Sequence, residues 1–355
     1  MTAAAPRAGD HPHMEECATR TARVPFAWSG RVGRYHPAVR AVVTGGAGFI
    51  GSHLVDSLVA DGADVLVLDD LSHGSPTNLA GSPAAELAEV DVRDEAGVRR
   101  AVTAFAPELV FHLAAQIDVR KSMADPATDT AVNVLGSVNV FSAAQAAGVR
   151  RVVNTSTGGA IYGETDVVPT PETTPTDPLS AYGLGKRTVE RYGCWFRRSH
   201  GLDVVTLRYG NVYGPRQDPR GDAGVIAILC DRVLTGRRPT VFGDGRQTRD
   251  YVFVGDIVAA NRAAAAAADL PHDVYNVGTG TEVDVLALVG AVAAAAGVDG
   301  FEPEFAPARP GEVLRSCLDV SRARAELGLP APTALTDGLR ATLDWVRTLP
   351  REQQA

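Results

Sequence analysis

The sequence predicts an α/β fold: a doubly wound parallel sheet with a smaller α/β substrate-binding lobe beside it. Three observations predict this. Short β-branched runs recur from Arg40 onward, helix-length segments separate them, and a glycine-rich turn directly follows the first run. Strand–helix alternation of this kind builds a parallel sheet with crossover helices.

The expected strands are "AVVTG" (41–45), "DVLVLDD" (64–70), "ELVFHLAA" (108–115), "RVVNTST" (151–157) and "DVVTLRY" (203–209). After about residue 210 the alternation loosens. Pro and Gly punctuate "YGPRQDPRGDAG", and Ala-rich stretches near 256–268 and 284–296 read as helices. The expected division is a flexible N-terminal extension over 1–39 and a dinucleotide-binding domain over 40–210, with 250–280 returning to it. The substrate lobe takes 211–249 and 281–350. No repeat of 20–50 residues interrupts this plan.

The chain has 355 residues, 45% of them hydrophobic, enough for a large core and two lobes. Its net charge of −8 and pI of about 5.5 argue against a nucleic-acid surface or an anionic membrane surface. No apolar run approaches the roughly 18 residues of a membrane span. Cys17, Cys194, Cys230 and Cys317 are scattered without a CxxC, so reduced thiols and a cytoplasmic setting are expected. The first 40 residues lack the apolar stretch of a secretory signal, and Met14 leaves a later start open. His11 and His13 have no third ligand nearby, so no metal site is expected.

"VVTGGAGFIGSHLV" carries Gly45, Gly48 and Gly51, between a strand and an amphipathic helix. That context is what gives a glycine pattern meaning. Glycine lets the backbone turn tightly against a pyrophosphate, while the helix N-terminus offers free N–H groups and a positive dipole end. The second strand ends at Asp69 and Asp70. A carboxylate there accepts ribose hydroxyls and repels a 2′-phosphate, so NAD is favoured over NADP in this Rossmann-type sheet. Asp91 and Val92, after the next strand, are placed to touch the adenine edge.

In "AYGLGKRTVE" Lys186 follows Tyr182 by one helical turn. The chain has only two lysines, Lys121 and Lys186, against 32 arginines. A compact ammonium reaches ribose hydroxyls beneath a phenol where a planar guanidinium does not fit. A cation beside the phenol lowers its pKa and makes Tyr182 a usable base. Ser156 or Thr157 closes the fourth strand, where a hydroxyl reaches both Tyr182 and a substrate.

These motifs resemble the extended short-chain dehydrogenase/reductase family, and within it the UDP-glucose 4-epimerases. The likeness runs from about Arg40 to Val346. It rests on "TGGAGFIGSHLVD", "FHLAAQ", "STGGAIYGE", "AYGLGK", "LRYGNVYGPRQDP", "AGVIAI", "FGDGRQTRDYV", "YNVGTG" and "RPGEVLRSCLD".

The resemblance implies a catalytic triad of Thr157, Tyr182 and Lys186. It implies a cofactor cradle of Gly45, Gly48, Phe49, Ile50, Gly51, Asp69, Asp70, Asp91 and Val92. Leu113, Ala114, Ala115 and Gln116 match the loop under the pyrophosphate and nicotinamide ribose, with Asn133 nearby. Tyr209 and Asn211 match the strand end near nicotinamide and sugar diphosphate, Val225 and Phe242 the uracil-binding segments. Arg249 and Arg309 match a diphosphate clamp, where a bidentate fork suits phosphate oxygens. Ser122 falls on the sugar side, beside Arg120 and Lys121, and Ser316 lines the sugar pocket.

The implied reaction is reversible oxidation at C4 of a UDP-sugar. Tyr182 takes the 4-hydroxyl proton, the hydride goes to NAD⁺ and the ketone turns over. The hydride then returns to the other face. Relatives that dehydrate or decarboxylate place acids just after the triad hydroxyl; here stand Gly158 and Gly159. UDP-glucose and UDP-galactose are the first expectation. UDP-N-acetylglucosamine follows because Ser316 is small, and UDP-glucuronate because of the cations at 120–121. A dinucleotide-binding redox sensor without turnover is the alternative of another class; the intact triad argues against it. The resemblance also implies a homodimer through stretches near 128–147 and 181–199.

Overall fold

The computed structural model describes residues 39–219, 224–308 and 313–349. The expected N-terminal extension, save Val39, lies outside the described residues, as do Cys17 and Arg309.

The chain begins with β1 (Arg40–Thr44), α1 (Phe49–Ala60), β2 (Asp64–Asp69), β3 (Glu86–Glu89), α2 (Glu95–Phe105) and β4 (Leu109–His112). Two short helices, α3 (Val119–Ala124) and α4 (Pro126–Thr130), lead through a π-turn at Ala131–Leu135 into α5 (Gly136–Ala146). Next come β5 (Arg151–Thr157), α6 (Gly158–Ile161), α7 (Ala181–His200), β6 (Asp203–Tyr209) and β7 (Asn211–Tyr213). Then follow α8 (Val225–Leu234), β8 (Thr240–Phe242), β9 (Thr248–Arg249), β10 (Tyr251–Phe253), α9 (Val254–Ala266) and β11 (Val274–Val277). The last elements are β12 (Val283–Asp284), α10 (Val285–Ala296), β13 (Glu304–Ala306), α11 (Ser321–Leu327) and α12 (Leu335–Thr348).

Seven strands form one parallel sheet in the order β3–β2–β1–β4–β5–β6–β11. This is the Rossmann-type doubly wound order, and it reverses direction between β1 and β4. Thr44 at the end of β1 lies opposite Leu68 on one side and His112 on the other. A crevice therefore opens beyond the carboxyl ends of β1 and β4, the usual place for a ligand in such sheets.

Central strands covered on both faces read as continuous apolar runs. On one face Val43, Val67 and Phe111 pack against Leu54 of α1 and Ile257 and Ala264 of α9. On the other, Val42, Val110 and Val152 meet Val98, Phe141 and Val189 of α2, α5 and α7. Each such side chain contributes roughly 1.5–3 kcal/mol on burial. A third core joins α8, α10 and α12 through Ile226, Leu288 and Leu339.

One boundary differs from expectation. Helix α11 falls in the stretch assigned to the substrate lobe, yet Ala323 and Leu327 join the core of Val43 and Ile257. A helix of 7 residues carries too little periodicity to announce its neighbour.

Candidate active site

The glycine turn is held in a conformation that side chains resist. Gly45 has φ +69°, and a Cβ there would lie 2.7 Å from the Ala114 nitrogen. At Gly51 a Cβ would meet the Gly45 carbonyl, and at 2.7 Å the Gly46 Cα. Gly48 caps α1 without a side chain, so nothing from the cap covers the helix N-terminus. Phe49, Ile50 and Gly51 form its first turn.

Asp69 ends β2 as a buried carboxylate, its Oδ2 accepting from Ala47 N–H at 2.9 Å and its Oδ1 from Leu71 N–H at 2.9 Å. Burial raises its pKa from the ordinary value, partly offset by those backbone bonds. Asp70 is exposed and binds Ser72. These groups fit a dinucleotide: a cradle that any Cβ would fill, an uncapped helix end, and a carboxylate at the ribose position. Asp91 is engaged by the Arg93 guanidinium, which holds its pKa low. Val92 is otherwise than expected. Its side chain is buried in the core against Gly136, so only backbone remains for an adenine.

The loop from Leu113 to Gln116 is fixed by a directional chain of hydrogen bonds. Thr44 Oγ1 accepts from the Leu113 and Ala114 N–H groups, both at 3.2 Å. Its own proton then goes to His112 Nδ1 at 2.8 Å, which leaves the ring proton on Nε2 to donate to Ser137 Oγ at 2.8 Å. Ser137 donates onward to the Asn133 carbonyl at 2.5 Å. Burial pushes the His112 pKa down to about 3, so this imidazole is neutral. Asn133 is buried and clasps Gln116 through both backbone groups, at 3.0 and 2.9 Å. It positions the loop.

Helix α7 carries Tyr182 and Lys186. Ser180 caps it by accepting from Gly183 N–H, and Gly201 ends it in the left-handed region at φ +68°. Tyr182 sits in the first turn, its phenol near enough to the Thr157 side chain at the end of β5 to be eased by it. Lys186, one turn on, is 3% exposed and its Nζ donates to the Thr155 carbonyl at 3.0 Å. The structure thus brings Thr157, Tyr182 and Lys186 together.

The expected lowering of the phenol pKa is not found here. Burial, then the Asp129 charge, push the Tyr182 phenol up to about 12, with only the Thr157 hydrogen bond opposing. Burial brings Lys186 down to about 8, against Asp129 and Glu190, which hold it up. The ammonium is turned to the Thr155 carbonyl, so Tyr182 is a neutral phenol in this state.

Two further expectations are corrected. Ser122 is fully buried. Its hydroxyl donates to the Val119 carbonyl at 2.7 Å and accepts from Tyr182 N–H at 3.2 Å. It therefore steadies the start of α7 and does not face a sugar. Tyr209 is buried in the core beneath the sheet, its hydroxyl between Thr155 and Asn261 at 3.3 and 2.6 Å. Arg120 and Lys121 are exposed.

Asn211 and Ser316 converge on Gly159. A Cβ at Gly159 would lie 3.3 Å from Asn211 Oδ1 and 3.9 Å from Ser316 Oγ. Val225 opens α8, Phe242 ends β8 and Arg249 lies on β9, all part-buried in the second lobe. Sequence reasoning missed Asp129, His112 and the buried Arg208–Glu190 pair, each of which acts across the fold. Among the described residues no cluster suits a metal ion.

A doubly wound sheet, a glycine turn at its switch point, and a threonine at the end of β5 beside a Tyr–Lys pair on α7 define a dinucleotide-dependent enzyme of the short-chain dehydrogenase/reductase class. The sequence model of the NAD dependent epimerase/dehydratase family matches residues 41–278, and the chain belongs to that family. A UDP-glucose 4-epimerase of Mycolicibacterium smegmatis is 46% identical over 87% of this chain and 99% of its own. The solved UDP-glucose 4-epimerase of Thermotoga maritima with UDP-glucose is 43% identical, with a TM-score of 0.84 over 87% of this chain and 99% of its own. That of Thermus thermophilus in complex with NAD is also 43% identical, with a TM-score of 0.81 over 88% of this chain and 100% of its own.

Proposed function

We propose that the chain is an NAD-dependent 4-epimerase of nucleotide sugars, interconverting UDP-glucose and UDP-galactose. The observation that carries this is the Tyr182 phenol beside Thr157 with Lys186 buried one turn away, and Gly158–Gly159 where a dehydrating relative would need an acid. The relatives named UDP-glucose 4-epimerase support the same reading.

NAD, when bound, supplies the hydride acceptor and donor for C4 and a positive ring beside the phenol. Gly45, Gly48, Phe49, Ile50 and Gly51 would hold its pyrophosphate, Asp69 and Asp70 its adenosine ribose, and Asp91 its adenine edge. Leu113–Gln116, backed by Asn133, would meet the pyrophosphate and nicotinamide ribose, with Lys186 on the ribose hydroxyls. Tyr182 takes the proton from the sugar 4-hydroxyl and returns it after the ketone has turned over, while Thr157 orients both groups. Arg249 and Arg309 clamp the diphosphate, and Val225 and Phe242 flank the uracil. Tight contacts belong on the nucleotide, because the hexose has to rotate between Asn211 and Ser316.

The partner is a second copy of the chain. On α7, Leu184, Tyr192 and Trp195 are 54%, 38% and 44% exposed, and Leu135 before α5 is 51% exposed. Large apolar groups aligned on one helix face favour a homodimer. No helix of the described residues is long and apolar enough to cross a membrane. Buried reduced thiols at Cys230 and Cys317 fit a cytoplasmic enzyme.

An NMR time course with UDP-glucose, UDP-N-acetylglucosamine or UDP-glucuronate, without added NAD, tests the proposal. Appearance of UDP-galactose supports it. No 4-epimer from any of them, even with NAD⁺ supplied, overturns it. The small Ser316 beside Gly159 favours UDP-N-acetylglucosamine as the second substrate.

A further inference from the structure

A buried carboxylate lies beside the reactive pair. Asp129 on α4 is 1% exposed. Its Oδ1 accepts from Gln116 Nε2 and from Asn133 Nδ2, both at 2.9 Å. Its Oδ2 is buried with no hydrogen-bond partner. That oxygen faces α7 at a position where the helix has no side chain, since a Cβ on Gly185 would lie 3.5 Å from it. Gly185 sits between Tyr182 and Lys186.

The charges around Lys186 make this arrangement specific. His112, on β4, is neutral. Glu190, on α7, has both oxygens engaged by Arg208 at 2.9 and 2.6 Å. Glu190 also favours the buried ammonium but shares its charge with Arg208, so Asp129 is the carboxylate that answers it most, and an uncompensated buried cation is costly. We propose that Asp129 is a positioning residue of the active site, the buried counter-charge that keeps Lys186 an ammonium and ties it to the Leu113–Gln116 loop. The same charge opposes the phenolate, so Tyr182 stays protonated until a positive group arrives beside it. The proposal rests on the epimerase reading for its kinetic consequence, but the charge coupling itself does not.

Asp129→Asn keeps the oxygen that binds Gln116 and Asn133 and removes the charge. Ultraviolet titration of the phenolate, with Tyr182→Phe as the blank, needs no substrate. The Tyr182 transition is expected about one pH unit lower in Asp129→Asn. An unmoved transition overturns the proposal whether or not the protein is an epimerase. In the active enzyme both limbs of the pH profile of kcat move to lower pH together, because phenol and ammonium lose the same negative neighbour. A fall in height with both limbs fixed is the mark of a merely structural residue and overturns it too. Should Asp129→Asn not fold alone, Lys186→Met and Lys186→Met/Asp129→Asn decide. The double variant melting above the single supports the proposal; melting below it overturns it.

Discussion

Arg208 on β6 grips Glu190 on α7 through two hydrogen bonds, Nε to Oε1 at 2.9 Å and Nη2 to Oε2 at 2.6 Å. Both side chains are buried. The third donor, Nη1, reaches the Tyr162 hydroxyl at 2.8 Å, which donates to Asn276 Oδ1 at 2.8 Å. One guanidinium thus joins α7, the sheet and the segment after α6. Its charge also occupies the carboxylate one turn beyond Lys186.

Breaking this pair from one side leaves a buried charge. Glu190→Gln or Arg208→Met is expected to lower stability by about 3–5 kcal/mol. Glu190→Leu with Arg208→Met recovers much of the loss, because neither charge then stays buried alone. Urea unfolding midpoints check both statements. A double variant as unstable as the singles added together contradicts the account.

Gly51→Ala tests the cradle. The new methyl meets the Gly45 carbonyl and the Gly46 Cα, so the turn has to open. Binding of NAD, read by fluorescence or by copurification, is expected to weaken at least tenfold, about 1.4 kcal/mol. Gly148→Ala is the control. Gly148 has a positive φ of +70°, which Gly51 does not, and a Cβ there meets nothing within 4 Å, so its alanine carries backbone strain without touching the cradle.

His112 predicts an acid limit to stability. The unfolded imidazole takes a proton near 6.5, the folded one only near about 3, because burial opposes the charge. Between those values the unfolded chain binds more protons. Stability is therefore complete above the unfolded pKa and falls as pH drops below about 6.5, by at most about 5 kcal/mol. His112→Gln removes this proton uptake, and its melting temperature is expected to depend less on pH between 6.5 and 4 than that of the unchanged chain. Equal slopes contradict the buried neutral histidine.

What was legible in the sequence was local. The glycine turn reads from its flanking strand and helix, and Tyr182 and Lys186 read as neighbours because one helical turn separates them. Thr157 reads from the end of its strand. Contacts set by packing did not read. Tyr209 ends a strand covered on both faces, where alternation no longer says which way a side chain points, and Val92 lies in the turn after β3, where no period applies. Ser122 looked available because a hydroxyl carries no mark of its partner, and here that partner is the backbone of Tyr182. Asp129 resembled any exposed helix carboxylate until α4 packed against α7. The seventh strand, β11, is four residues interrupted by Asn276, and only the sheet edge at β6 explains it.

Tyr182→Phe and Lys186→Arg separate chemistry from fit at one site. Phenylalanine keeps the ring and loses the hydroxyl beside Thr157. Its kcat is expected to fall by roughly 10²–10⁴, with NAD still bound and the melting temperature little changed. Arginine keeps the charge of Lys186 but brings a planar fork into a place that is 3% exposed and offers the Thr155 carbonyl as acceptor. Neighbouring Glu190 already carries Arg208. Lys186→Arg is therefore expected to lose activity, NAD binding and several degrees of melting temperature together. If it instead retains activity within tenfold, the compact ammonium is not what the site requires, and the reason for a lysine in this arginine-rich chain lies elsewhere.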